Sequence, residues 1–182
     1  RLGRSRKGIS GGIDVPSMIA SARLIATAVR TWLDGLDEAQ LAQATFQFEL
    51  PERYVWAYTP GPRQGLAIRD MHPDQRAVSS AIVASAMSTR TAGEIGAIIS
   101  LERVLGELER GDGRSSWIRR DPELYWFAVF GDPGSPGPWS WRIGGHHVAV
   151  HVTVDGDRAV VRTQDGIEDW FVQLRYDLPP LG

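Results

Sequence analysis

Cysteine is absent from this 182-residue chain. Disulfides, thiol nucleophiles and Cys-ligated zinc or iron–sulfur centres therefore have no residues to build them. Lysine is almost absent too. Lys7 stands alone in a basic, glycine-rich start, which argues against Schiff-base chemistry. No apolar run is long enough to span a bilayer: Met18 to Val29, the longest near the N-terminus, is broken by Arg23. No charged-then-apolar signal segment is visible. An excess of positive charge is missing as well. Twenty Lys and Arg stand against 22 Asp and Glu, a net charge of −2, so a strongly basic nucleic-acid binder is excluded. Neither nucleic acid nor a membrane is expected as a partner. Several motifs are also lacking. There is no P-loop, no strand–GxGxxG–helix unit, no HExxH helix and no GxSxG elbow. Neither a P-loop nucleotide nor a Rossmann dinucleotide is expected as cofactor. Asp155-Gly156-Asp157 lacks the remaining ligands of a calcium loop and reads as a hairpin turn.

What is present suits a globular protein, with 42% hydrophobic and 23% charged residues. Residues 1–12 read as a flexible basic arm, and residues 13–182 as a single domain. Apolar positions at Met18, Ile19, Leu24, Ile25, Val29, Trp32 and Leu33 predict a helix near 15–34, capped by Asp14. Asp37 opens a second helix running to about Phe46. Leu50 to Gly65 reads as an extended loop with Tyr54, Trp56 and Tyr58 as anchors. His72-Pro73 starts a third helix, and Thr91 with Glu94 forms a capping box for a fourth, ending near Glu109. After Asp121 the pattern turns to strands: Leu124–Phe130, Trp139–Ile143, His146–Val154, Arg158–Thr163 and, last, Trp170–Tyr176. Helices first and a hairpin series after them predict an α+β fold, with N-terminal helices packed on a C-terminal antiparallel β-meander.

Four segments occur in a familiar order. They are Trp56-Ala57-Tyr58-Thr59-Pro60-Gly61-Pro62-Arg63, Leu101-Glu102-Arg103-Val104-Leu105, Glu123–Gly131 and Pro138–His147. Together they resemble the bacterial and fungal family catalogued as domain of unknown function 3500. The similarity runs from about Ala28 to Thr163. The resemblance implies no established activity. Members of that family are longer, with a further His-containing segment in their second half, so this chain reads as a short relative or as a fragment resembling the family's N-terminal half.

The candidate site gathers around a histidine pair. His146 and His147, read as strand neighbours, point to opposite faces unless Gly144-Gly145 distorts the strand. His147 and His151 share a face but stand ~13 Å apart at about 3.3 Å per residue, too far for one metal. Glu102 falls at the edge of the apolar stripe of its helix and therefore needs a partner. Arg142 and Arg63 are its expected partners, or else the residues that bind an anionic substrate group. Trp56 and Tyr125 are candidate substrate contacts within an aromatic set that otherwise serves packing.

Two functions follow. One is a small-molecule enzyme, hydrolytic or metal-assisted and oxidative, with His146, His147 and Glu102 catalytic and Arg142, Arg63, Trp56 and Tyr125 binding substrate. A single divalent metal is open as a cofactor, because two histidines with a carboxylate suffice for zinc or non-haem iron. The other is a non-catalytic ligand-binding or interaction module in which the same residues form a structural polar network.

Overall fold

A computed structural model describes residues 15–55, 57, 59–111 and 120–165. The basic arm, the Asp14 cap, Trp56, Tyr58 and the last expected strand lie outside the described residues.

Among the described residues four α-helices precede the main sheet. They are α1 (Val15–Asp34), α2 (Glu38–Ala44), α3 (Pro73–Ser85) and α4 (Thr89–Gly111). On α1 the buried stripe is Ala22, Ile25, Val29 and Trp32, continued by Leu36. That is three- and four-residue spacing on one helix face. Leu24, expected in the stripe, is exposed. Helix α2 is shorter than expected. Thr45–Phe46 leaves it as a strand, β1, because Phe46 stacks on Phe130 at 5.3 Å and its carbonyl accepts from Gly131 N–H at 2.9 Å. Helix α4 begins earlier than the Thr91–Glu94 box implies. Ser88 is the cap: its hydroxyl oxygen accepts from Thr91 N–H at 3.2 Å, and its carbonyl from Ala92 N–H at 2.9 Å. Glu94 instead pairs with Arg90 on the surface.

The remaining strands are β2 (Leu66–Ala67), β3 (Tyr125–Phe130), β4 (Trp139–Gly145), β5 (Val148–Asp155) and β6 (Arg158–Asp165). The sheet order is β1-β3-β4-β5-β6, with β2 also pairing β3. From β3 to β6 it is the expected antiparallel meander. Short β1 runs parallel to β3, so the sheet is mixed. The architecture is α+β.

Strand alternation divides the sheet's two faces. Phe127, Val129, Trp141, Ile143, Val150 and Val152 belong to the core cluster together with the stripes of α1, α3 and α4. Phe127 sits between Trp32 and Trp141, with ring centroids at 4.7 and 5.3 Å. Ala128, Phe130, Ser140, Arg142 and His151 take the alternate positions and are buried as well. Both faces of the sheet's centre are therefore covered, which explains the continuous apolar run of β3.

A glutamine pair ties the N-termini of α2 and α3 together. Gln40 occupies the third position of α2 and Gln75 the same position of α3. Each side-chain oxygen accepts from its own cap residue, Asp37 N–H at 3.1 Å and His72 N–H at 2.7 Å. Each amide then donates to the other, at 3.0 and 2.8 Å, and to a distant carbonyl, Asp70 or Gly35. Both glutamine side chains are buried, so removing one amide leaves the other's donor and acceptor without a partner. Gln75→Ala is expected to destabilise the fold by about 2–3 kcal/mol. Urea unfolding with a lower midpoint and an unchanged slope is the readout, and an unmoved midpoint contradicts the assignment.

Candidate functional site

The histidine pair lies in a turn, not on a strand. Strand β4 ends at Gly145 and β5 begins at Val148, so His146-His147 is the whole connection. This corrects the expectation of a strand from His146 to Val154. A two-residue turn also removes the up–down alternation that would separate the rings, whose centroids lie 3.9 Å apart. His147 adopts φ 58, alone in the left-handed region among described non-glycine residues. Such a conformation costs on the order of 1 kcal/mol or more for a residue with a Cβ.

Tyr125 clamps this turn. It pairs with Gly145 across the sheet, and a Cβ at Gly145 would lie 2.3 Å from its ring. Only glycine lets the ring lie flat over the strand end. The phenol then donates to the His146 carbonyl at 2.8 Å. Burial, with Glu102 nearby, pushes the Tyr125 hydroxyl well above its ordinary range, so it remains a donor.

Helix α4 supplies the carboxylates. Thr91, Ile95, Ile98 and Glu102 form its buried face, so Glu102 lies on the stripe itself rather than at its edge. It is 3% exposed, and such burial demands a partner. That partner is His146, whose Nδ1 meets Glu102 Oε1. Neither Arg142 nor Arg63 plays the role. Two turns further along α4, Glu109 holds Arg120, with oxygen–nitrogen distances of 2.7 to 3.1 Å. The Glu109 carboxylate raises the Arg120 guanidinium further above its ordinary value. Gly106 lies between the two glutamates, and a Cβ there would come within 3.1 Å of Arg120 Cβ. The missing side chain is what lets Arg120 pack against the helix.

Arg120 Nη1 lies 3.0 Å from both nitrogens of His146. In the ring plane, a point equidistant from both at that range would collide with ring carbon. The guanidinium nitrogen therefore stands over the ring face. Glu109, Arg120, His146 and Glu102 form one continuous polar chain. Assigned from its partner, the imidazole carries its proton on Nδ1, directed at Glu102, with Nε2 as a base.

A cavity of about 440 Å³ opens beside this chain. Glu102, His146 and Tyr125 border it together with Trp126, Leu124 and the Pro60-Gly61-Pro62 bend, and the Arg69–Asp121 ion pair completes the lining. Its volume falls in the ordinary range for small-molecule sites.

Other expected site residues lie elsewhere. Arg142 projects from the opposite sheet face into the 50–65 loop. It donates to the carbonyls of Glu52, Val55 and Gln64 at 2.7, 3.1 and 3.3 Å and pairs with the Glu52 carboxylate at 2.9 Å. Arg63 donates to four carbonyls of its own loop, those of Ala57, Thr59, Gly61 and Pro62. Both guanidiniums hold the loop, and neither lines the cavity beside His146. Of the expected aromatic anchors only Tyr54 lies within the described residues, and it is exposed, with buried Arg53 against its ring and that of Phe48. Trp56 falls outside the described residues. His151 is buried beside Arg142 across the β4–β5 ladder, and His72 caps α3. Among the described residues no three His, Asp or Glu side chains come together as a metal-ligand set.

Arg120, Asp121 and Arg69 escaped the sequence reading. Arg120 lies between two unconnected motifs, and only the folding of α4 against the β3 entrance brings it to His146. Gly106 between two glutamates, in a long helix, is the signal that could have pointed to a close approach.

The chain belongs to the family described as Protein of unknown function (DUF3500), whose model matches residues 19–163. No curated protein and no solved structure matches it.

Burial, His146 and Arg120 together lower the His147 pKa, against the opposing pull of Glu102. The folded-state pKa thus lies below the ordinary imidazole value of 6.5, and the unfolded chain takes up the proton first. The stability this group contributes is complete above pH 6.5 and is lost as pH falls through the window below it. His147→Asn, which accepts the left-handed backbone and does not titrate, is expected to shrink that acid loss. Unfolding free energies measured from pH 8 to pH 5 check it, and an unchanged pH slope contradicts it.

Proposed function

We propose that the cavity bordered by His146 and Glu102 is the active site of an enzyme acting on a small molecule by general acid/base chemistry, hydrolysis being the reaction it suits best. The observation carrying this reading is a buried carboxylate held against an imidazole that itself borders a cavity of small-molecule size. In the reaction, His146 Nε2 takes a proton from water as the water oxygen attacks a carbonyl carbon. Glu102 accepts the Nδ1–H bond throughout and stabilises the imidazolium that forms. As the bond from carbon to the leaving oxygen breaks, Nε2 returns the proton to that oxygen. Tyr125 fixes the turn by its bond to the His146 carbonyl, and so acts as a positioning residue.

A second reading rests on a different observation. Every charged group of the chain Glu102–His146–Arg120–Glu109 already has an internal partner, as a structural network requires. In that case the protein is a binding or interaction module, and the network joins helix to sheet.

Turnover on a panel of chromogenic esters, lactones and amides separates the two. His146→Asn is expected to lower kcat by about 10²–10⁴-fold with the circular dichroism spectrum retained. Glu102→Gln, which keeps an acceptor for Nδ1–H, is expected to lower it less. Turnover that survives His146→Asn, or a panel with no turnover from a folded wild-type protein, favours the module.

A further inference from the structure

The charges around the cavity constrain what it holds. Two cations stand close to it, and both are already used. Arg69 pairs with Asp121, and Arg120 pairs with Glu109. The Glu102 carboxylate is likewise engaged by His146. An anionic ligand would have to share an arginine with the carboxylate that already neutralises it, and would meet that carboxylate's repulsion. It would also approach Glu102 and Asp121. A cationic ligand meets Arg69 and Arg120 in the same way. The rest of the wall is apolar and flat, made by Trp126, Leu124, Pro60 and Pro62.

We infer that the cavity takes an uncharged, ring-bearing molecule whose hydroxyl or carbonyl faces His146 and whose ring lies against Trp126 and the proline bend. This rests on the acid/base reading of the site for the direction in which the polar group points. Selectivity comes from the carboxylates that already neutralise the two arginines and repel a second anion.

Benzamide and benzoate form a matched pair of probes that share a ring and differ in the charge of one end. Titrated into the full chain and followed by NMR, benzamide is expected to shift the Trp126 indole and the His146 imidazole. Benzoate is expected to bind at least about tenfold more weakly. Asp121→Asn frees Arg69 yet keeps the side-chain oxygen that accepts Glu123 N–H at 2.9 Å. In that variant benzoate is expected to gain affinity and the gap to narrow. Benzoate binding as tightly as benzamide to the wild type overturns the inference, as does the failure of both probes to shift Trp126. The two proposals fail separately. Benzoate that shifts His146 removes the uncharged class and leaves the acid/base site standing. Benzamide preference combined with turnover that survives His146→Asn keeps the ligand class and removes the acid/base role.

Discussion

Glu102 is a carboxylate on the inward stripe of a long helix, at a position where Ile95 and Ile98 set the pattern, and a charge there is tolerated only with a partner within reach. The partner is His146, and presenting it fixes much else. The ring must stand at the end of a hairpin, which makes the β4–β5 connection a two-residue turn. The turn must be held down, which Tyr125 does by lying over Gly145 and bonding the His146 carbonyl. The cost includes a left-handed His147. That strain, beside a buried carboxylate–imidazole pair and a cavity, is geometry maintained against local preference.

The arginines divide the molecule's polar work. Arg142 and Arg63 stiffen the 50–65 loop through its carbonyls, turning a proline- and glycine-rich segment into a fixed wall. One end of that wall, Pro60 to Pro62, borders the cavity beside His146. Arg69 and Arg76 tie the entrance of β3 to the 68–76 region by pairing with Asp121 and Glu123. Arg120 sits over the His146 ring while held by Glu109. In each case planar guanidinium geometry allows several acceptors at once, which a lone ammonium does less well.

Periodicity made the helices and the hairpin series legible in the sequence, and the order of elements gave the fold class. Ends were harder to read. Thr45–Phe46 turned from helix to strand because Phe46 gains a stacking partner on β3, and the α4 cap moved to Ser88 because two capping signals overlap. Glu102 and His146 were legible as candidates because a carboxylate on an apolar stripe and a histidine after paired glycines are unusual on their own, whereas Tyr125 was read as a substrate contact and its hold on the turn was not. The roles of Arg142 and Arg63 were not. A guanidinium seeks any cluster of acceptors, and which carbonyls a loop will present depends on its folded path. Arg120 was invisible for the same reason: its neighbours at Glu109 and His146 are distant in the chain and meet only when α4 packs beside the β4–β5 turn.

The tautomer of His146 tests the central claim most directly. Long-range nitrogen–proton correlation spectra of the imidazole, taken where the ring is uncharged, distinguish the two nitrogens. The account predicts a proton on Nδ1, with its resonance moved by Glu102→Gln, and an unprotonated Nε2 facing the cavity. A ring protonated on Nε2, or one whose signals ignore Glu102→Gln, contradicts it.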